Sequence, residues 1–480
     1  MHWLDHLNQI WPHLAAGLAF FAALLASAHA LLHKRDSRAA VLWLGFIWLM
    51  PLLGPILYLA LGVNRIRRRA RSLRAGTRAT ARQSVPEDLG EPGKPEAEHL
   101  RHLAEVVDRV ATQPLTGGNR IRALVNGDEA FPAMLAAIES AQASVSLLTY
   151  IFDHDLTGQA FVAALGRAVD RGVTVRVLID DAGARYSWPT ILHELRKARV
   201  PVARFLPTLP LWHFMTMNLR NHRKALVVDG KIGFAGGINI RHGNVLRDLP
   251  RRPVQDLHFQ IEGPMVAQLQ EAFSSDWVFT TGETLAGELW FPKLEACGGL
   301  IARVITDGPD EDYDKLHWTL LGALAEAQTT VQIVTPYFLP DQVMIAALNL
   351  AALRGVRVDI ILPGHSNLPF VDWASQAMWW QVLERGCRIW LTPPPFDHSK
   401  LMVVDGHWVF FGSANWDTRS LRLNFELNVE CYGRDFAGAM ETIVQQKLCG
   451  AREVTQAEAD ARPVPAKLRD AVARLFSPYL

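Results

Sequence analysis

One stretch of this 480-residue chain is written twice. His222-Arg223-Lys224-Ala225-Leu226-Val227-Val228-Asp229 returns as His398-Ser399-Lys400-Leu401-Met402-Val403-Val404-Asp405, and each copy leads on to Gly236-Gly237-Ile238-Asn239 or Gly412-Ser413-Ala414-Asn415. Both runs are apolar and β-branched and reach Asp-Gly before another apolar run, which predicts a strand, a tight turn and a strand. Side chains alternate across a strand, so His222 and Lys224 share one face, as do His398 and Lys400; Asp229 and Asp405 stand at an odd offset. An imidazole beside an ammonium, with an asparagine arriving from the next strand, offers a nucleophile or proton carrier together with donors for an oxyanion. That is equipment for phosphoryl chemistry without a metal or other cofactor. Asp before Gly is a favoured turn pair, so a turn-holding role competes with a catalytic one for Asp229 and Asp405.

The repetition extends beyond the motif. Ala141-Gln142-Ala143-Ser144-Val145 is echoed by Ala327-Gln328-Thr329-Thr330-Val331, and Arg171-Gly172-Val173 by Arg354-Gly355-Val356. In each half short apolar strands (173–179, 356–362) alternate with helical patterns (157–170, 341–353), which predicts a layered α/β sandwich built twice, over 116–290 and 291–480. One motif supplies one histidine, whereas displacing an alkoxide from a phosphodiester takes a nucleophile and a proton donor. Two halves facing each other across a pseudo-twofold axis supply both.

The chain before 116 reads differently. No Asp, Glu, Lys or Arg occurs between Asp5 and Lys34, or between Arg38 and Arg65, and each gap exceeds the ~20 residues a spanning helix needs. The expectation is a transmembrane hairpin within 1–65, with segments at 12–32 and 40–62; Pro51, Gly54 and Pro55 make the second a candidate for a kinked or re-entrant element. A second apolar segment directly behind the first, and no basic residues before it, argue against a signal peptide. Arg65, Arg67, Arg68, Arg69, Arg71, Arg74, Arg78 and Arg82 then outnumber Lys34, Arg35 and Arg38 of the connecting loop, which puts both ends of a hairpin in the cytoplasm. Residues 66–115 read as this basic segment followed by a linker and a short polar helix near 96–110. The four cysteines, Cys297, Cys387, Cys431 and Cys449, are scattered and read as reduced thiols.

The doubled H-x-K-x4-D-x6-G-[GS]-x-N resembles the signature of the phospholipase D superfamily, and the surroundings resemble its bacterial cardiolipin synthase branch. The likeness is carried by Arg220-Asn221-His222-Arg223-Lys224, Thr335-Pro336-Tyr337-Phe338, Asp417-Thr418-Arg419-Ser420 and Asn424-Phe425-Glu426. It implies a bacterial inner-membrane enzyme that joins two phosphatidylglycerols into cardiolipin through a phosphohistidine. His222 is implied as nucleophile and His398 as proton carrier, with Lys224, Lys400, Asn239 and Asn415 on the phosphoryl oxygens. The motif's aspartates, Asp229 and Asp405, belong to the same catalytic set in the family pattern. Glu426 in the second half and Asp256 in the first are implied as carboxylates that orient the histidines.

Hydrolysis of phospholipids and nuclease action could use the same core. Charge argues against a nucleic acid partner: the chain is +1 overall and the eight arginines contribute +8, so the rest carries −7. A decayed scaffold would show broken motifs, and both are intact. The segment from Phe205 to Met217, with Pro207, Leu209, Pro210, Leu211, Trp212, Phe214 and Met215, is either a loop that dips into the lipid interface or a core segment. Trp373, Trp379 and Trp380 fit a helix packed in the core.

Overall fold

The computed structural model describes residues 2–34, 37–59, 93–207, 219–309 and 314–477. It divides into two compact units, Met1–Arg69 and Ala70–Leu480.

The first unit holds α1 (His2–His33), α2 (Ser37–Leu49) and α3 (Leu53–Leu57). Within α1, His13–His33 is long and apolar enough to cross a membrane. Ala23, Ala26 and Ala30, spaced three and four apart, form the face that packs on Ile47 and Tyr58. The expected second span at 40–62 is not one helix. Pro51 cannot continue the hydrogen-bond ladder, and α2 ends at Leu49 after 13 residues, short of the ~20 needed to cross. Had the helix run on, Tyr58 would lie ~22 Å along the axis from Trp43. Instead the two rings are 5.2 Å apart and the Tyr58 hydroxyl is 2.9 Å from His29 Nδ1. The chain therefore folds back on α2. Gly54 allows the close approach, since a Cβ there would stand 2.7 Å from the Ile47 Cα. The arginine cluster at 65–82 and the start of the linker lie outside the described residues.

The second unit is built on a fifteen-stranded sheet. From one edge run Arg452–Val454, Arg388–Thr392, Arg357–Pro363, Thr330–Val334, Leu401–Val404, Trp408–Gly412, Glu426–Tyr432 and Leu300–Asp307. The sheet continues with Thr116–Val125, Leu257–Glu262, Ile232–Gly236, Ala225–Val228, Ser144–Thr149, Thr174–Asp180 and Val202–Phe205. The second series repeats the first in reverse, except that the edge strand Arg452–Val454 has no counterpart. The two meet where Thr116 pairs with Ala302 and Asn119 with Leu300. Each motif hairpin thus lies between a parallel run of βαβ type and the antiparallel strands at the join.

Alternation along the motif strands buries both faces of the sheet. Leu226 and Val228 enter one core, under the helices Asn126–Ser140 and Leu156–Asp170, while Ala225 and Val227 enter another, shared with Leu401, Val403 and Phe411. The same alternation sends Met402 and Val404 into a third core. The strands read at 173–179 and 356–362 are Thr174–Asp180 and Arg357–Pro363, and the helices read at 157–170 and 341–353 are Leu156–Asp170 and Gln342–Leu353. The helix expected near 96–110 is Glu98–Val110, but it is amphipathic rather than polar. Leu100, Leu103, Ala104 and Val107 bury one face of it in the third core.

Candidate active site

The motif strands begin just after each lysine, at Ala225 and Leu401, so both histidines sit on the extended lead-in to a hairpin. Alternation persists through these lead-ins. Arg220 and His222 line one pocket together with Phe396 and His398. The residues between them turn the other way. Asn221 Nδ2 and Arg223 Nη1 bond Asp276 at 2.7 and 2.9 Å, and Lys447 Nζ bonds Asp397 at 2.6 Å and Ser399 Oγ at 3.2 Å. Arg223, Asp276 and Asp397 are buried, so leaving any of them unpaired would be expensive. Each histidine segment is thereby pinned from behind by a helix, Val266–Thr281 or Arg434–Leu448.

The histidines are then completed across the halves. His222 N–H donates to the Phe425 carbonyl at 2.9 Å and His398 N–H to the Gln255 carbonyl at 2.7 Å. The residues that follow these carbonyls are Glu426 and Asp256. Glu426 accepts from His222 Nδ1 at 3.0 Å, and Asp256 accepts from His398 Nδ1 at 2.7 Å. Each carboxylate, expected from the sequence within one half, meets the histidine of the other half. With Nδ1–H held this way, Nε2 is the nitrogen left to act.

The two carboxylates are supported differently. Glu426 also accepts from Ser413 Oγ at 2.5 Å and Asn424 Nδ2 at 3.1 Å. At the position equivalent to Ser413 stands Gly237, where a Cβ would lie 2.2 Å from Asp256 Oδ1. Aspartate is one methylene shorter than glutamate, and its carboxylate occupies the space a side chain at 237 would need. The Gly-or-Ser variation between the motifs reflects that difference.

Burial sets the charge state. It pulls His222 below the ordinary imidazole value, with Glu426 opposing and Lys224 adding to the fall. His398 falls to about 4, through burial first and then the Lys400 ammonium, against the pull of Asp256. Burial also lowers Lys224 to about 7 and Lys400 to about 8, with Glu426 and Asp256 respectively drawing each back up. Burial pushes Glu426 up, but His222 and Lys224 outweigh it and hold the carboxyl below its usual value. Burial thus works against positive charge on both histidines and both lysines, and an arriving phosphodiester anion favours uptake of a proton.

The pocket has a volume of about 560 Å³. Asn239, Asn415, Tyr150, Tyr337, Arg241 and Arg419 line it with the histidines and Asp256. Asn239 Oδ1 accepts from Ile151 N–H at 3.1 Å and Asn415 Nδ2 donates to Ser420 Oγ at 3.2 Å, which fixes both amides. The lysines lie behind this lining, each with Nζ on the carbonyl of its own motif histidine. Tyr150 packs edge-on to His222 with ring centroids 5.2 Å apart, and Tyr337 does the same to His398 at 6.2 Å. Tyr337 stands in Thr335-Pro336-Tyr337-Phe338, one of the stretches that carry the family likeness, but no role is read for it there, and Tyr150 signals nothing beyond its place at the end of a strand.

Asp229 and Asp405, which the family pattern counts in the catalytic set, do not join the pocket. Both sit at φ 52° before a glycine at φ 63°, as a type I′ turn requires. Asp229 accepts from the backbone N–H groups of Gln142, Ala143 and Ser144, and Asp405 from those of Gln328, Thr329 and Thr330. These bonds lock each hairpin turn to the start of the antiparallel neighbour, Ser144–Thr149 or Thr330–Val334, that opens the parallel run. In the segment considered for lipid contact, Phe205 is core, packed on Phe279 and Phe425, and residues 208–218 lie outside the described residues.

A model of the cardiolipin synthase, phospholipase D-like domain matches residues 134–277 and 320–448. The chain belongs to this family. A second model, of the phospholipase D-nuclease N-terminal segment, matches residues 21–62. Among cardiolipin synthase relatives, that of Geobacillus sp. (strain WCH70) is 32% identical over 464 residues, covering 94% of this chain and 90% of its own. Cardiolipin synthase A of Pseudomonas fluorescens (strain Pf-5) is 32% identical over 485 residues, covering 99% and 100%. The fold is shared with the crystal structure of a phosphatidylserine synthase from Haemophilus influenzae Rd KW20, with a TM-score of 0.61 at 14% identity over 79% of this chain and 100% of that one.

Proposed function

We propose that this chain makes cardiolipin at the bacterial inner membrane, passing a phosphatidyl group from one phosphatidylglycerol to the headgroup hydroxyl of another and releasing glycerol. The observation that carries this reading is the pair of histidines that open on one pocket, each with Nδ1 held by a carboxylate from the opposite half. His222 Nε2 attacks phosphorus, the bond to the glycerol oxygen breaks, and His398, protonated as the anionic substrate binds, gives that proton to the departing oxygen. The second phosphatidylglycerol then loses its hydroxyl proton to His398. Its oxygen attacks phosphorus and the P–N bond to His222 breaks. Lys224, Lys400, Asn239 and Asn415 offset charge on the non-bridging oxygens. The mirrored strand order supports two halves related by a pseudo-twofold axis, each completing the other's histidine. Neither nucleic acid nor a metal enters the scheme.

For the membrane part, α1 is the span and α2–α3 a re-entrant reversal. Lys34, Arg35, Arg38 and the eight arginines of 65–82 then fall on one side, the cytoplasm, together with the catalytic unit. A C-terminal tag protected from external protease in intact cells, with an N-terminal tag cleaved, is the expected result; cleavage at the C-terminus would invert the arrangement.

The function is tested by incubating membranes of an expressing strain with labelled phosphatidylglycerol and separating the lipids. Labelled cardiolipin with equimolar glycerol supports the reading. Phosphatidic acid as the sole product would make the chain a hydrolase.

A further inference from the structure

The helix Val464–Arg474 and the turn after it present Val464, Leu468, Val472, Leu475 and Phe476 at 51–73% exposure. Spacings of three and four place them on one face. The opposite face is inward: Asp470 and Ala473 are fully buried. A helix serving only the interior would expose its polar side instead. Lys467, Arg469 and Arg474 flank the stripe, while the helix's one acid, Asp470, is turned in and paired with Arg462 and Arg469.

This stripe is continuous with the mouth of the pocket. Phe476 packs on Phe370 with ring centroids 5.6 Å apart, and the Arg469 guanidinium lies over Trp373 at 4.4 Å. Phe370 lines the pocket with Leu368, Pro369 and Val371, and Leu368 and Phe370 are themselves 45% and 38% exposed. A row of apolar side chains thus runs from the outer helix to the lip of the site.

We propose that this face lies on the anionic phospholipid leaflet and lets a lipid slide from the bilayer over Phe370 into the pocket. The inference rests on the reading of the substrate as a phospholipid. Three observations favour a bilayer over a protein partner. The same chain carries an apolar helix long enough to span a bilayer. The helix offers cations and no exposed acid, the charge pattern of an interfacial helix on anionic lipid. The stripe also ends where an acyl-bearing substrate must enter.

The test uses the full-length protein with Cys297 and Cys449 changed to serine, carrying a bimane fluorophore on Leu468→Cys, in nanodiscs of phosphatidylglycerol with brominated acyl chains. Strong quenching is expected at 468 and little on Lys231→Cys, at the hairpin turn away from the histidines. Equal quenching at both positions overturns the proposal. So does cross-linking of two copies through position 468 without quenching, which would make the face a contact between copies. In parallel, the Leu468→Glu, Val472→Glu double variant should lose about tenfold in turnover of bilayer substrate while keeping its rate on short-chain phosphatidylglycerol below its micellar concentration. Equal loss on both substrates overturns the docking role. Quenching does not depend on turnover: quenching without cardiolipin leaves the docking face standing and removes the substrate reading, and cardiolipin without quenching does the reverse.

Discussion

The crossed pairing of histidines and carboxylates is open to a direct perturbation, Glu426→Gln. Glu426 is fully buried and accepts hydrogen bonds from His222 Nδ1, Ser413 Oγ and Asn424 Nδ2. Glutamine keeps the volume and one accepting oxygen but removes the charge facing the imidazole. A hydrogen bond to a buried charged group is worth ~1.5–3 kcal/mol in the ground state, and removing the charge of the carboxylate that orients a catalytic histidine lowers turnover by up to ~10⁴-fold. We expect kcat/KM to fall by ~10²–10⁴. The size of the loss alone does not locate the partner; a double-mutant cycle does. His222→Ala combined with Glu426→Gln should be hardly worse than His222→Ala, a coupling of about 3–5 kcal/mol, and His398→Ala with Asp256→Asn should behave the same way. The two pairs should also differ in kind. With His222 as nucleophile, Glu426→Gln blocks formation of the acid-labile phosphoenzyme whatever the leaving group. Asp256→Asn weakens proton delivery by His398, so a phosphatidyl nitrophenyl ester, which leaves without a proton, should restore much of the rate. Coupling of Glu426 to His398, or of Asp256 to His222, would refute the crossed arrangement. Rescue on the Glu426 side alone would exchange the roles of the histidines and leave the crossing intact.

Asp229→Asn and Asp405→Asn should each lower stability by ~1–3 kcal/mol, read as a drop in melting temperature, with kcat within about twofold at temperatures well below melting; lost turnover with unchanged melting would return both to the catalytic set. Activity should follow a bell in pH. Both lysines sit below their ordinary value of 10.5, so in the free enzyme their charge is lost as pH rises through about 7 for Lys224 and about 8 for Lys400, and kcat/KM should fall there. On the acid side the depressed histidines, with His398 at about 4, stay neutral well below the usual imidazole range, so the profile should be broad there. A flat alkaline limb would show that the lysines do not act on substrate. If Lys and Asn are the donors to phosphate, as proposed, chelators should leave turnover unchanged; full loss restored by one specific divalent ion would overturn that expectation.

The doubled motif made the hairpins, the parallel runs beside them and the repeat legible, because period-two alternation and Asp-Gly turns are local signals. The turn role of Asp229 and Asp405 was legible for the same reason. The partnership of the carboxylates was not: whether Glu426 serves His398 or His222 depends on which backbone segment lies beside Phe425, and nothing within either repeat encodes that. The roles of the tyrosines beside the histidines and of the pins at Asp276 and Lys447 escaped for a related reason, since each acts on a segment distant in sequence. For the second membrane segment the sequence left a span and a kinked or re-entrant element both open, because an uncharged stretch measures apolar length but not continuity. Pro51 and Gly54 carried the break, and only the contact of Tyr58 with Trp43 and His29 gives its direction.

The crossing bears on why both halves stand in one chain. A half cut at the join would keep its histidine, lysine and asparagine yet lose the carboxylate that sets the ring, along with the carbonyl that holds the histidine's own N–H. It would keep the nucleophile's atoms without their orientation. The opposing half therefore does more than bring a second histidine, and drift in one half would be felt first as a fault in the other. Within each half the carboxylate lent across is matched to its own surroundings, Glu426 to Ser413 and Asp256 to Gly237. A longer carboxylate has gained a hydroxyl support and a shorter one requires the bare glycine, so exchanging either member alone should cost more than exchanging both.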